Sequence, residues 1–146
     1  MAAGLTAYFD TSALLKLYLE ERESESVRLL SRRAPITCTH LITYAEVRAG
    51  LAQAERLGRI DESALAGHVE RFEVDWATMN VVVPTETHIR RAGDLAQHFG
   101  LRGYDSVQLA AAEAVRQVLP NMDFCFVAFD KRLAKAAAAL GMRGVA

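Results

Sequence analysis

The sequence lacks the features that hold small secreted domains together or carry a chain through a bilayer. Its two cysteines, Cys38 and Cys125, stand far apart without Cys-x-x-Cys spacing. They read as buried reduced thiols, not as a disulfide frame or a metal site. No apolar run reaches the roughly 20 residues needed to span a membrane. The Met1–Leu5 start has neither the basic nor the long apolar segment of an export leader. A reduced, cytoplasmic setting is therefore expected. With three prolines and nine glycines in 146 residues, there is no low-complexity tract. Neither charge sign is in excess: 17 Lys+Arg face 18 Asp+Glu. That balance does not advertise nucleic acid, but it leaves room for a local basic patch beside an acidic site. A glycine-rich phosphate loop is missing. The four histidines, His40, His68, His88 and His98, are scattered without ligand spacing.

What is present is apolar content of 51%, enough for a core, in a length that suits one domain over residues 1–146. Leu5–Phe9 reads as a buried strand and Thr11–Leu19 as a helix that is apolar nearly all round. A helix of that kind is buried on several sides or forms an interface. Val27, Leu29 and Leu30 give the next helix a short apolar face, ending before Pro35. Ile36–Thr39 is the second expected strand. A helix over about 41–57 follows, with Ile42, Ala45, Ala49 and Ala52 at helical spacing and Gly58 as its stop. Asp61 is the expected N-cap of a helix carrying Leu65, Val69, Phe72 and Trp76 on one face.

Val81–Val83 reads as a buried strand closed by Pro84. Thr85 opens a helix with Ile89, Ala92, Ala96 and Phe99 on one side, ended by Gly100. Another helix, after Gly103, carries Val107, Ala111, Ala114, Val115 and Val118. Phe124–Phe129 is a strand, Asp130 opens a helix through Leu133, Ala137 and Leu140, and Arg143–Val145 is a candidate edge strand. Strands alternate with helices throughout, which predicts an α/β fold: three layers, with a central, mostly parallel sheet covered on both faces.

Asp10 is the most informative residue, because it sits where a strand ends and a helix begins. Asp130 repeats the arrangement after the Phe124–Phe129 run. Each reads equally as a helix N-cap. Parallel strands, however, bring their C-terminal ends to one edge, where ligands collect in open α/β sheets. Asp105 lies in the first turn of its helix, beside the small residues Ala110, Ala111, Ala112 and Ala114. It reads either as an acid favoured by the helix dipole or as a site residue at the rim of the core. Glu46 has Gly50, not a base, four residues on, so the usual helical ion pair is missing. Its position beside Ile42, Ala45 and Ala49 makes it a half-buried acid.

Four carboxylates in one cleft repel. At about 5 Å and an effective dielectric near 20, each pair costs about 3 kcal/mol. Protonation or a bound cation relieves this, and an all-oxygen site favours a hard ion such as Mg²⁺ or Mn²⁺. Such an ion activates water and stabilises charge developing on a phosphate.

Four segments carry a family resemblance in order along the chain. They are Tyr8-Phe-Asp-Thr-Ser-Ala-Leu-Leu15, Thr43-Tyr-Ala-Glu-Val-Arg-Ala-Gly50, Leu101-Arg-Gly-Tyr-Asp-Ser-Val-Gln-Leu-Ala-Ala111 and Val127-Ala-Phe-Asp-Lys-Arg-Leu133. Together they resemble the PIN-domain family, in particular the VapC-type toxins of bacterial toxin–antitoxin pairs. The resemblance implies a metal-dependent endoribonuclease that hydrolyses phosphodiesters by in-line attack of metal-activated water. By the same likeness Asp10 and Asp105 are principal metal ligands, and Glu46 completes the site directly or through water. Asp130 holds a second ion or positions the attacking water. Ser12 matches a hydroxyl that supports the metal shell; it reads equally as a first-turn helix serine. The resemblance further implies Mg²⁺, with Mn²⁺ as a substitute, an RNA substrate, a VapB-type antitoxin that covers the groove, and a homodimer.

Two rival readings use the same residues. A phosphatase with Asp10 as nucleophile wants a second aspartate two residues on, and this chain has Ser12 there. An α/β protein-interaction module needs no metal and treats the acids as caps.

Overall fold

The computed structural model describes residues 4–145. The reading of the start as free of a leader rests partly on Met1–Ala3, which lie outside the described residues. Eleven elements follow in order among those described: β1 Leu5–Phe9, α1 Thr11–Leu15, α2 Ser24–Arg33, β2 Ile36–His40, α3 Ile42–Arg56, α4 Glu62–Trp76, β3 Asn80–Val82, α5 Glu86–Phe99, α6 Gly103–Val118, β4 Asp123–Val127 and α7 Lys131–Ala139. The four strands form one sheet in the order β3-β2-β1-β4. Every pairing is parallel, with Tyr8 opposite Cys38 and Phe126, and His40 opposite Val82.

The period of two along each strand divides the core. Tyr8, Cys38, Phe124 and Phe126 point to one face and pack with Leu95, Leu109, Leu133 and Ala137 from α5, α6 and α7. Ala7, Phe9, Cys125 and Val127 point to the other, against Leu14, Val27, Val47 and Phe72 from α1 to α4. The result is the three-layer α/β/α arrangement predicted from the alternation of elements. Both cysteines are buried and unpaired. All four strand C-termini lie on one edge of the sheet, and the Asp10 N–H donates to the Val127 carbonyl at 3.1 Å.

Capping sets the helix starts. Asp10, Asp61, Thr85 and Asp130 each accept from the backbone N–H three residues on. Gly100, at φ +66°, ends α5 in the left-handed conformation that favours glycine and turns the chain into α6.

Several expectations change. The helix from Thr11 stops at Leu15, not Leu19. The amides of Lys16, Leu17 and Tyr18 bond three residues back, in tight turns that bring Tyr18 and Leu19 into the core. A run that is apolar nearly all round, broken only by Lys16, carries little periodicity to mark that end. The buried face of α3 is Thr43, Val47, Leu51 and Ala54, while Ala45 and Ala49 face solvent. Alanine offers little apolar area, so the larger Val47 and Leu51 decide which way α3 turns. Leu29, Ile89 and Val118 are exposed. β3 is a short edge strand, half-buried at best, with Val83 beyond it in solvent. β4 ends at Val127, and the Arg143–Val145 segment forms a single parallel bridge, Cys125 to Arg143, instead of a strand.

Candidate active site

Asp10 sits at the end of the central strand β1, only 5% exposed. Its Oδ1 accepts the Ala13 N–H at 2.8 Å, and the Ser12 hydroxyl lies 3.1 and 3.2 Å from its two oxygens. The cap reading is thus correct for Asp10, but a surface cap does not carry this environment. Burial pushes the carboxyl up from 3.8 to about 6. The Ala13 and Ser12 bonds oppose that shift, and the charges of Asp105 and Asp130 add to it. Among the described residues, no Lys or Arg forms an ion pair with Asp10.

The other acids reach the same edge from different elements. Glu46, half-buried on α3, accepts a hydrogen bond from the Thr11 hydroxyl at 2.6 Å. Asp105, in the first turn of α6, is 20% exposed and pairs with Arg102 at 3.0 Å. Asp130 is exposed and caps α7 through the Leu133 N–H at 3.0 Å. Asp105 and Asp130 line one open groove with Arg102, Lys131 and Arg132. Tyr8 lies beneath the acids; burial first, then Asp10, Cys38 and Glu46, hold its hydroxyl well above the usual tyrosine range.

Sequence reasoning missed the layer under the carboxylates. The Tyr8 hydroxyl donates to Gln108 Oε1 at 2.6 Å, and Gln108 Nε2 donates to Thr43 Oγ1 at 2.9 Å and to Thr11 Oγ1 at 3.4 Å. Thr39 joins Thr43 at 2.9 Å and the Phe9 carbonyl at 2.8 Å. The available signal was a polar residue at a helix position that had to face the core: Thr43 in α3, and Gln108 between Val107 and Leu109.

The donors on offer are carboxylate oxygens, which suit a hard divalent cation and match none of the softer metals. A buried acid surrounded by like charges and without a basic partner is also one that a cation relieves. Among the described residues, no three His, Cys, Asp or Glu side chains stand together closely enough to clasp an ion. Thr11, Ser12 and Arg102 instead hold Glu46, Asp10 and Asp105 on local donors.

The fold has a counterpart among known proteins. The model of the PIN domain family matches residues 7–139, a span that includes all four acids. The chain belongs to the PIN domain family. Two relatives named Ribonuclease VapC45 and Ribonuclease VapC49, both from Mycobacterium tuberculosis strains, are each 38% identical to this PIN domain over 136 residues. The match covers 93% of this chain and 92% of theirs. A solved toxin–antitoxin complex from Klebsiella pneumoniae contains a chain of the same fold. Its TM-score is 0.63 at 24% identity, over 88% of this PIN domain and 90% of that chain.

Proposed function

We propose that this PIN domain is a divalent-cation-dependent endoribonuclease, the toxin of a VapBC-type toxin–antitoxin pair, with Asp10, Glu46, Asp105 and Asp130 as its acidic site. One observation carries the site assignment: a carboxyl 5% exposed at the sheet's C-terminal edge, without a basic partner among the described residues, raised to about 6 by burial and by Asp105 and Asp130. The ribonuclease names of the two relatives supply the reaction class.

In this reading Asp10, Asp105 and Glu46 hold Mg²⁺, with Mn²⁺ as a substitute, and Asp130 stands across the groove as fourth acid. A cation bound there offsets the acids' mutual repulsion, polarises a phosphodiester and lowers the pKa of water. The chain's own residues set the stage for that. Ser12 and the Ala13 N–H fix the rotamer of Asp10. Thr11 holds Oε1 of Glu46. The Leu133 N–H occupies one oxygen of Asp130. Arg102, Lys131 and Arg132 give the groove a positive rim suited to RNA phosphates, although the chain as a whole is near neutral.

The same proposal extends to partners and setting. A VapB-type antitoxin covers the groove and sets a basic side chain against the acids, where Arg102 now sits on Asp105. A homodimer draws support from the exposed apolar residues Leu41 and Val83 at the β3 edge. The cytoplasm fits two reduced buried cysteines, and among the described residues no helix is long and apolar enough to cross a membrane.

The test uses purified chain free of any partner, incubated with a mixed RNA pool in Mg²⁺, Mn²⁺ or chelator. Asp10→Asn and Asp105→Asn serve as controls, and the former keeps the helix cap. Discrete products that vanish with chelator and in both variants are expected. Products that survive in both variants would sink the assignment of the site. A cation-loaded protein that leaves every RNA intact would sink the nuclease reading.

A further inference from the structure

We propose that Gln108 is a positioning residue. Its buried amide, oriented by Tyr8, fixes Thr11 and through Thr11 the Glu46 carboxylate, and so sets how tightly the acidic site takes a divalent cation. The inference rests on the reading of the site given above and concerns a residue outside the four acids.

Counting protons gives the network a direction. Each hydroxyl carries one proton, and a glutamine amide carries two on nitrogen and none on oxygen. The Phe9 carbonyl can only accept, so the contact at 2.8 Å takes the proton of Thr39. Thr39 and Thr43, 2.9 Å apart, then share the proton of Thr43. Thr43 therefore has none left for Gln108, and their 2.9 Å contact requires a donor from the glutamine. That places Nε2 toward Thr43 and Oε1 toward Tyr8, whose hydroxyl donates at 2.6 Å. The flipped amide would leave the Gln108–Thr43 contact with no proton and the Tyr8 proton with no acceptor.

The second Nε2 proton points at Thr11 Oγ1, 3.4 Å away. With that oxygen accepting, the single proton of Thr11 is free for Glu46 Oε1 at 2.6 Å. Every proton now has one place, and the chain of bonds ends on Glu46 Oε1.

The geometry also explains why a glutamine stands there. Gln108 is 3% exposed and lies one turn beyond Asp105 on α6. Tyr8 belongs to β1, which leads into Asp10. Thr43 lies one turn before Glu46 on α3. The amide therefore ties together the three elements that carry Asp10, Glu46 and Asp105. Hydrogen bonds that orient metal-binding side chains in this way typically change affinity on the order of 10- to 100-fold when removed.

The experiment separates positioning from plain structural support. Gln108→Met keeps the volume but strands the Tyr8 hydroxyl. Adding Tyr8→Phe removes the stranded group, so the pair of changes is near neutral for the core. Mn²⁺ binding is measured by calorimetry on the full chain without RNA, beside thermal melting in chelator. The expected result is a melting temperature that falls in Gln108→Met and recovers in Tyr8→Phe/Gln108→Met, while Mn²⁺ affinity stays at least about ten-fold weaker in both. Affinity that returns to the parent level along with the melting temperature would overturn the proposal. Should the parent itself bind no Mn²⁺, the cation-dependent nuclease reading falls, and a cation-free crystal structure of the double variant judges the positioning role alone. Glu46 displaced from Thr11 supports it, and Glu46 still on Thr11 overturns it.

Discussion

Arg102 and Asp105 form an ion pair within one turn at the start of α6, Nε to Oδ2 at 3.0 Å. The arginine is largely exposed, while the aspartate is mostly covered. The guanidinium thus occupies the carboxylate that the proposed site offers to a cation, and the two compete for it. Exposed ion pairs are weak, so the competition is mild. Arg102→Gln is expected to tighten Mn²⁺ binding by less than about ten-fold, an effect that shrinks with added salt. The same change is expected to weaken RNA binding, because it removes one of the three basic residues along the groove. Calorimetry with Mn²⁺ and a filter-binding assay with RNA in chelator read the two effects separately. Weaker cation binding in the variant would show that Arg102 does not compete for Asp105.

Asp10 gives the metal-free protein a distinctive pH dependence. Well below 3.8 the side chain is protonated in both folded and unfolded chains and contributes no difference. Between 3.8 and about 6 the unfolded chain releases the proton while the folded chain keeps it. The unfolded state then binds fewer protons, so stability falls as pH rises through that window and stays lowered above it. At about 1.4 kcal/mol per pH unit, the upper limit is on the order of 3 kcal/mol. Asp10→Asn removes the charge and retains the cap. It is expected to be more stable than the parent in chelator at pH 7 and to lose that advantage near pH 4. Urea denaturation at both pH values measures this. A variant equally stabilised at both would show that the burial cost of the Asp10 charge is not what the substitution relieves.

The aromatic cluster under α4 bears on stability alone. Phe72 is fully buried, with ring centroids of Tyr18, Tyr44 and Trp76 at 5.6, 5.5 and 5.7 Å. Tyr18 is held in turn by its hydroxyl on Asp75 at 2.7 Å, so the neighbours have little freedom to collapse into a void. Phe72→Ala is expected to cost about 3–5 kcal/mol and to leave the pH dependence due to Asp10 in place. A loss under about 1 kcal/mol by denaturant titration would mean that the cluster relaxes to fill the gap.

How much of this could be read in advance depended on whether the signal was local. Asp10 and Asp130 announced themselves because a strand end followed by a helix start is written in neighbouring residues, and parallel strands place such ends together. The sheet's parallel order followed from the alternation of elements. The end of α1 did not, because Ala13 to Leu19 is apolar nearly all round, with Lys16 alone to break it, and the amides that turn back three residues from Lys16 on have no local signal in the sequence. Nor did the orientation of α3, where exposed Ala45 and Ala49 mimic a core stripe. Gln108 was the hardest case. Its partners lie 100 and 65 residues away in sequence, at Tyr8 and Thr43, and nothing nearby says that a buried amide has found them.

Gly50 links the packing of α3 to the helix that Asp10 caps. A Cβ at this position would lie 2.7 Å from Leu15 Cδ1 and 3.1 Å from Cδ2, closer than carbon atoms pack. Leu15 is the last residue of α1, and α1 and α3 carry Thr11 and Glu46 on their facing sides. An alanine meets only the tip of a flexible side chain, and its better helix propensity, about 1 kcal/mol over glycine, offsets the shift of Leu15. A valine adds two more carbons and a stiff χ1, so α1 itself has to move. Gly50→Val is expected to destabilise by about 1–3 kcal/mol and to weaken Mn²⁺ binding as Glu46 and Asp10 separate, while Gly50→Ala stays close to the parent. Trimming the other side tests the cause. In a double-mutant cycle, Leu15→Ala makes room, so Gly50→Val should cost less in that background than in the parent, by an amount beyond the few tenths of a kcal/mol at which independent sites add. Strict additivity would place the damage elsewhere than the α1–α3 contact.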